Sequence, residues 1–111
     1  MAITDAPKIV TARLGYDDSF TLERYLATGG YAGLRKALTM TPEAVAAEVD
    51  AASLLGRGGA GFPAGRKWSL LPPKATLTYL VINGDESEPA TFKDHMLIEG
   101  DPHQILEGVL I

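Results

Sequence analysis

The 111-residue chain contains no cysteine, which excludes disulfides and thiolate metal sites within these residues. Surplus basic charge is also missing. Ten Lys and Arg stand against 14 Asp and Glu, a net charge of -4, so the field of the whole surface does not favour DNA or RNA. Apolar runs such as YLVI at 79–82 fall far short of the roughly 20 residues that a membrane-spanning helix needs. The opening MAITDAPKIVTARLG has neither the apolar stretch of a secretory signal nor the Arg and Ser richness of a transit peptide. A cytoplasmic location without direct membrane insertion is therefore expected. The two histidines, His95 and His103, have no partners at a recognised ligand spacing, so no metal site is expected here. There is no internal repeat and no low-complexity tract.

What is present has the balance of a folded chain: 46% hydrophobic and 22% charged residues, with a length suited to one domain or part of one. Residues 1–18 are polar and unpatterned and read as an N-terminal arm. From Ser19 the pattern turns helical. Thr21 is placed to cap a helix carrying Leu22, Tyr25 and Leu26 on one face, and TGG at 28–30 stops it. Tyr31, Leu34 and Leu38 fit one face of a second helix. Thr41 and Pro42 supply the cap and first position of a third, with Val45, Val49 and Ala52 as its buried stripe. PAGRKWSLL makes a further helical turn or two before the prolines at 72 and 73.

TLTYLVIN, residues 76–83, is rich in β-branched and aromatic residues and ends in a nearly continuous apolar run, as in a strand buried on both faces of a mainly parallel sheet. NGDESEPATFKD follows as a polar loop at its carboxyl end, where open α/β sheets place ligands. Helices are expected over 91–99 and again from Asp101 and Pro102 through HQILEGVLI, with no stop signal after Ile111. The expected class is α/β: N-terminal helices, then the start of a domain with a mainly parallel sheet that is incomplete at its C-terminal end.

Two loops carry the chemistry. GRGGAGFPAGRKW, residues 56–68, holds five glycines, three cations, a Phe and a Trp. Gly56, Gly58 and Gly61 match G-x-G-x-x-G, with Asp85 near the place of a ribose-binding acid. A dinucleotide fingerprint follows a strand, however, and PEAVAAEVDAASLL at 42–55 has helical composition. The Walker pattern fails because Arg66 follows Gly65 and Ala60 stands five residues before it. A glycine hinge is the plain alternative, but Phe62, Lys67 and Trp68 are costly side chains for a linker. Glycines also let backbone N–H groups approach a planar or phosphorylated ligand. Trp68, beside Leu71 on a helical turn, reads as core rather than ligand contact.

The second loop gathers Asp85, Glu86, Glu88 and Asp94. Asn83, Asp85, Ser87 and Asp94 mimic positions of a calcium loop, but Glu88 stands where a sharp turn needs Gly, and the last acid is Asp rather than Glu. A glycosidase carboxylate pair or a merely solvated acidic loop are alternatives. Acids and an amide at the carboxyl end of a strand suit hydroxyl and ring N–H groups of a cofactor better.

LLGRGGAGFPAGRKWSLLP followed by YLVINGDESEPATFKDHMLIEGDPHQILEGVLI resembles the N-terminal part of the NADH-binding flavoprotein subunit of respiratory complex I and its relatives in NAD-linked hydrogenases and formate dehydrogenases. The likeness covers roughly residues 20–111. It implies an oxidoreductase in which NADH delivers hydride to FMN and electrons pass on to iron–sulfur clusters and quinone. By the same resemblance, Gly56, Arg57 and Gly58 line the flavin, and Gly59, Ala60, Gly61 and Phe62 admit NADH over it, with Phe62 on the adenine. Lys67 meets the FMN, Asn83, Asp85, Glu86 and Ser87 bond its ring and ribityl chain, and Glu88 lies beside NADH.

The resemblance also implies a 4Fe-4S cluster in the complete protein only, and other soluble subunits as partners, among them a 2Fe-2S subunit. This chain departs from the family pattern at several positions. Leu70 replaces a frequent aromatic, Ile82 a Cys, Gly84 an Ala, Ala90 a Gly and His95 an Arg. The alternative reading is a stand-alone nucleotide-binding or interaction module without electron transfer. A reading frame continuing past Ile111 into S-C-G-x-C-x-P-C separates the two.

Overall fold

Thr21 and Thr41 start helices in the way their hydroxyls allow. In the computed structural model, which describes residues 7–72 and 77–111, Thr21 Oγ1 accepts the Arg24 N–H at 3.2 Å and opens α1, Leu22–Ala27. Thr41 Oγ1 accepts the Ala44 N–H at 3.2 Å and opens α3, Pro42–Ala51, with Pro42 in the first turn. Between them, α2 spans Ala32–Ala37. Then come α4 (Ala64–Ser69), α5 (Lys93–Gly100) and α6 (Pro102–Leu110). Among the described residues no helix is long and apolar enough to cross a membrane.

The chain divides into two compact units. One comprises Met1–Leu34 and Ile82–Leu110; the other comprises Arg35–Val81 and Ile111. In the first, α6 packs on α1 and α5, and Tyr25 is the buried hydrophobic residue at 2% exposure. Its ring meets Tyr31 edge-on at 5.0 Å and His103 at 5.8 Å. Gly30 lies so close that a Cβ there would sit 2.0 Å from Tyr25 Cδ1. Glu107 on α6 accepts the Tyr25 hydroxyl, the Tyr31 N–H at 2.8 Å and the Leu34 N–H at 2.9 Å, joining α1, α6 and the start of α2.

Residues ahead of α1 are tied into this unit. Arg13 Nε donates to Asp101 at 2.7 Å, its Nη2 donates to Gln104, and its guanidinium lies 4.5 Å over the Tyr25 ring. Gln104 in turn donates to the Val10 carbonyl at 2.9 Å, and the Ser19 hydroxyl donates to the Gly100 carbonyl. The described part of the 1–18 arm is thus anchored on α6.

In the second unit α3 packs on α4. The contact is close at Gly65, where a Cβ would come 2.5 Å from Asp50 Cα, so the helices can approach only because that side chain is absent. Leu55 and Pro63 form an antiparallel bridge at the neck of the loop between the two helices.

Several details differ from the sequence expectation. Of the expected strand 76–83, Thr76 lies outside the described residues, as does Pro73, and 77–83 form no ladder. A parallel strand takes its hydrogen bonds from a neighbour, and among the described residues there is none for it; Tyr79 and Val81 are 79% and 82% exposed. In α3, Val45 and Val49 are half-buried, but Ala52 is exposed as the C-cap. Leu38 lies beyond α2 and is exposed, and Tyr31 precedes it with φ +60. Helix α5 starts at Lys93 rather than Thr91.

Candidate functional site

The glycine loop belongs to the second unit and connects α3 to α4. Its neck is closed by backbone hydrogen bonds, Gly56 N–H to the Phe62 carbonyl at 2.9 Å and Ala64 N–H to the Leu54 carbonyl at 2.8 Å. Gly56, Arg57, Gly58, Gly59, Ala60, Gly61 and Phe62 therefore form one turn of chain projecting from a pinned base. Gly59 has φ +112 and Gly61 φ +62, conformations that residues with a Cβ rarely enter.

On Gly58, Gly59 and Gly61 the space a Cβ would fill is open to 4 Å. A ligand can reach the backbone there. An open hollow of about 560 Å³ lies against the loop, lined among others by Ser53, Leu54, Gly56 and Arg57. Its volume is in the range of small-molecule sites. Lys67 is exposed in the last turn of α4, beside Arg66. Trp68 is half-buried, and Leu70 is exposed as the C-cap.

The acidic loop lies in the first unit, leading into α5. Asn83 Oδ1 accepts the Asp85 N–H at 2.9 Å, and the Ser87 hydroxyl donates to Asp85 Oδ2, so three of the expected contact residues hold one another. Asn83, Asp85, Ser87 and Glu88 are exposed, whereas Glu86 is half-buried. Glu86 accepts the amides of Asp94 at 2.7 Å and His95 at 3.1 Å.

The loop closes with Thr91 N–H on the Glu88 carbonyl at 3.2 Å, after Ala90 takes φ +61. Glycine enters such a left-handed turn without the steric cost that the Ala90 Cβ brings. A Cβ on Gly84 would lie 3.2 Å from Ile98 Cδ1, tight but against the free end of a flexible side chain. Lys93 binds both oxygens of Asp94, at 2.9 and 2.8 Å, and this hydrogen bond raises its pKa. His95 pairs with Glu99 at 3.3 Å on the exposed side of α5. Among the described residues no group of three or more His, Cys, Asp or Glu comes together as a metal site.

Sequence reasoning missed Arg13 and Glu107, and it did not foresee that Glu86 turns toward a helix. Asp101 was legible as the residue before α6. Its carbonyl accepts the Gln104 N–H at 3.2 Å, but its carboxylate, 1% exposed, goes to Arg13. Spacing carries no signal for a pairing across 88 residues.

Residues 49–111 match the family described as the Nuo51 FMN-binding domain. The chain is 50% identical over 91 residues to the NADH-quinone oxidoreductase F subunit of Aquifex aeolicus, covering 82% of this chain and 21% of that protein. It is 47% identical over 104 residues to the F subunit of the same name from Streptomyces coelicolor, covering 93% and 23%. Over 105 residues it is 46% identical to the HndC subunit of the NADP-reducing hydrogenase of Solidesulfovibrio fructosivorans, covering 94% and 21%. The chain thus spans less than a quarter of the length of these relatives.

Proposed function

The chain belongs to the family of the Nuo51 FMN-binding domain, and from that premise we propose that it forms part of the FMN and NADH site of an NADH:quinone oxidoreductase flavoprotein subunit. The observation that carries this reading is the pinned glycine loop, whose Gly58, Gly59 and Gly61 leave the Cβ side open to a planar ligand. Each loop, taken by itself, carries donors or acceptors of the kind FMN needs. The first loop offers backbone amides and the cations Arg57 and Lys67, suited to phosphate and the flavin edge. The second offers acceptors on Asn83, Asp85, Glu86 and Ser87, suited to ring N–H and ribityl hydroxyls.

In this reading Gly56, Arg57 and Gly58 line the flavin. Gly59, Ala60, Gly61 and Phe62 admit NADH, with Phe62 stacking on the adenine, and Glu88 stands beside the nucleotide. When bound, FMN supplies the capacity to take hydride from NADH and release electrons to iron–sulfur clusters and quinone; the residues bind and orient it. Relatives named for NADH and for NADP reduction are about equally similar, so nucleotide choice rests on individual side chains such as Glu88.

Residues 19–111 then form the N-terminal part of the FMN/NADH-binding domain, preceded by the 1–18 arm. The 76–83 segment enters a mainly parallel sheet when its neighbours are supplied. The complete protein carries a 4Fe-4S cluster and works with other soluble subunits, including a 2Fe-2S subunit, peripherally on the cytoplasmic face of the membrane. Purification of the complete protein with bound flavin, active as an NADH:ferricyanide reductase, tests the reading. A flavin-free preparation that FMN cannot reconstitute contradicts it.

A further inference from the structure

Helix α5 begins at a residue that is unable to cap it. Phe92 holds the N-cap position and makes no side-chain cap hydrogen bond. At a helix start the amides of the second and third residues are those a capping side chain ordinarily satisfies, and here they belong to Asp94 and His95. Both donate to Glu86, one to each carboxylate oxygen, at 2.7 and 3.1 Å, across eight and nine residues of sequence. The negative charge also suits the positive end of the helix dipole. Within the acidic loop Glu86 is half-buried against this helix start, while Asp85, Ser87 and Glu88 on either side are exposed.

We propose that Glu86 is a positioning residue: by supplying the missing cap of α5 it ties the acidic loop to the helix and holds Asn83, Asp85 and Ser87 in the arrangement with which the loop meets the flavin. This rests on the flavin-site reading above. Each carboxylate oxygen keeps a second lone pair, so the cap leaves room for a ligand contact, but the cap operates whether or not a ligand is present. The consequence is reciprocal coupling: flavin that binds the loop firms the start of α5, and loss of the cap loosens the loop.

Hydrogen exchange of a peptide covering 93–96 in the complete flavoprotein tests this, comparing wild type with Glu86→Gln, each with and without FMN. Gln keeps one carbonyl acceptor but turns an NH2 toward the second amide. In the flavin-free proteins, exchange at Asp94 and His95 is expected to be about tenfold faster in the variant. FMN is expected to slow exchange there in wild type, and to slow it markedly less in the variant.

Equal flavin-free exchange in the two proteins overturns the proposal, since a residue that only touches ligand has no effect without it. FMN binding that leaves exchange at 94 and 95 unchanged in wild type overturns the coupling. If wild type takes up no FMN while flavin-free exchange behaves as stated, the flavin reading fails and the capping of α5 stands.

Discussion

The Glu107 carboxylate accepts a hydrogen bond from the Tyr25 hydroxyl across 82 residues of sequence, fixing α6 to α1 at the buried centre of the first unit. Burial pushes the Glu107 carboxyl up, but hydrogen bonds from Tyr25 and from the Leu34, Tyr31 and Gly33 amides outweigh it and hold the group below the ordinary 4.5. Its contribution to stability is therefore full above pH 4.5 and is lost as pH falls through the lower folded value. Tyr25 moves the other way. Burial first, then the bond to Glu107, raises its hydroxyl above the ordinary 10.0, so its contribution is full below pH 10.0 and declines as pH rises. Thermal unfolding across pH is expected to show Tm falling at both ends. Glu107→Gln should flatten the acid limb and Tyr25→Phe the alkaline limb, with the former costing about 1–3 kcal/mol at neutral pH. Profiles parallel to wild type contradict this.

Arg13 is the next test of the same unit. It pairs with an Asp101 that is 1% exposed and whose Oδ1 has no hydrogen-bond partner among the described residues, so removing the guanidinium leaves an uncompensated buried charge. Arg13→Met should cost about 3–5 kcal/mol in urea unfolding, and Arg13→Met with Asp101→Asn markedly less than the single change. Equal losses in the single and double variants would mean the pair carries no such charge.

Ala90 carries backbone strain in the left-handed region. With φ +61 it pays for a left-handed turn that glycine enters freely. After the greater chain entropy of glycine is deducted, Ala90→Gly should stabilise by about 0.5–1 kcal/mol, seen as a higher Tm. A lower Tm would show that the turn is not strained.

Much of the helical order was legible because it is local. Thr21, Thr41 and Pro42 act on amides and positions within a turn of themselves, and Gly29 takes the φ of +86 that its place after α1 demands. The two loops were legible by composition, and the helix before GRGGAGFPAGRKW separated that loop from a dinucleotide fingerprint. Features that depend on distant partners were not legible. Glu107 and Arg13 look like ordinary surface charges on their own elements and find their roles only through tertiary packing. The apolar run through Tyr79 and Val81 shows the converse, since strand composition makes no ladder without a neighbour to pair with.

Glu88 sets a prediction about specificity. It is exposed in the acidic loop, and beside a bound nucleotide its charge opposes the extra phosphate of NADPH. Glu88→Gln should lower the NADH over NADPH ratio of kcat/KM by about tenfold, or ~1.4 kcal/mol. Steady-state kinetics with both nucleotides decide it, and an unchanged ratio removes Glu88 from that role.

Whether these loops hold FMN is read from the visible spectrum of the purified complete protein. Flavin absorbance near ~450 nm that bleaches when NADH is added without oxygen is expected. The absorbance should be lost when Gly59 and Gly61, at φ +112 and +62, are replaced by Val in a protein that still folds. A folded protein without that absorbance, or one whose flavin survives both substitutions, would contradict FMN binding by these loops.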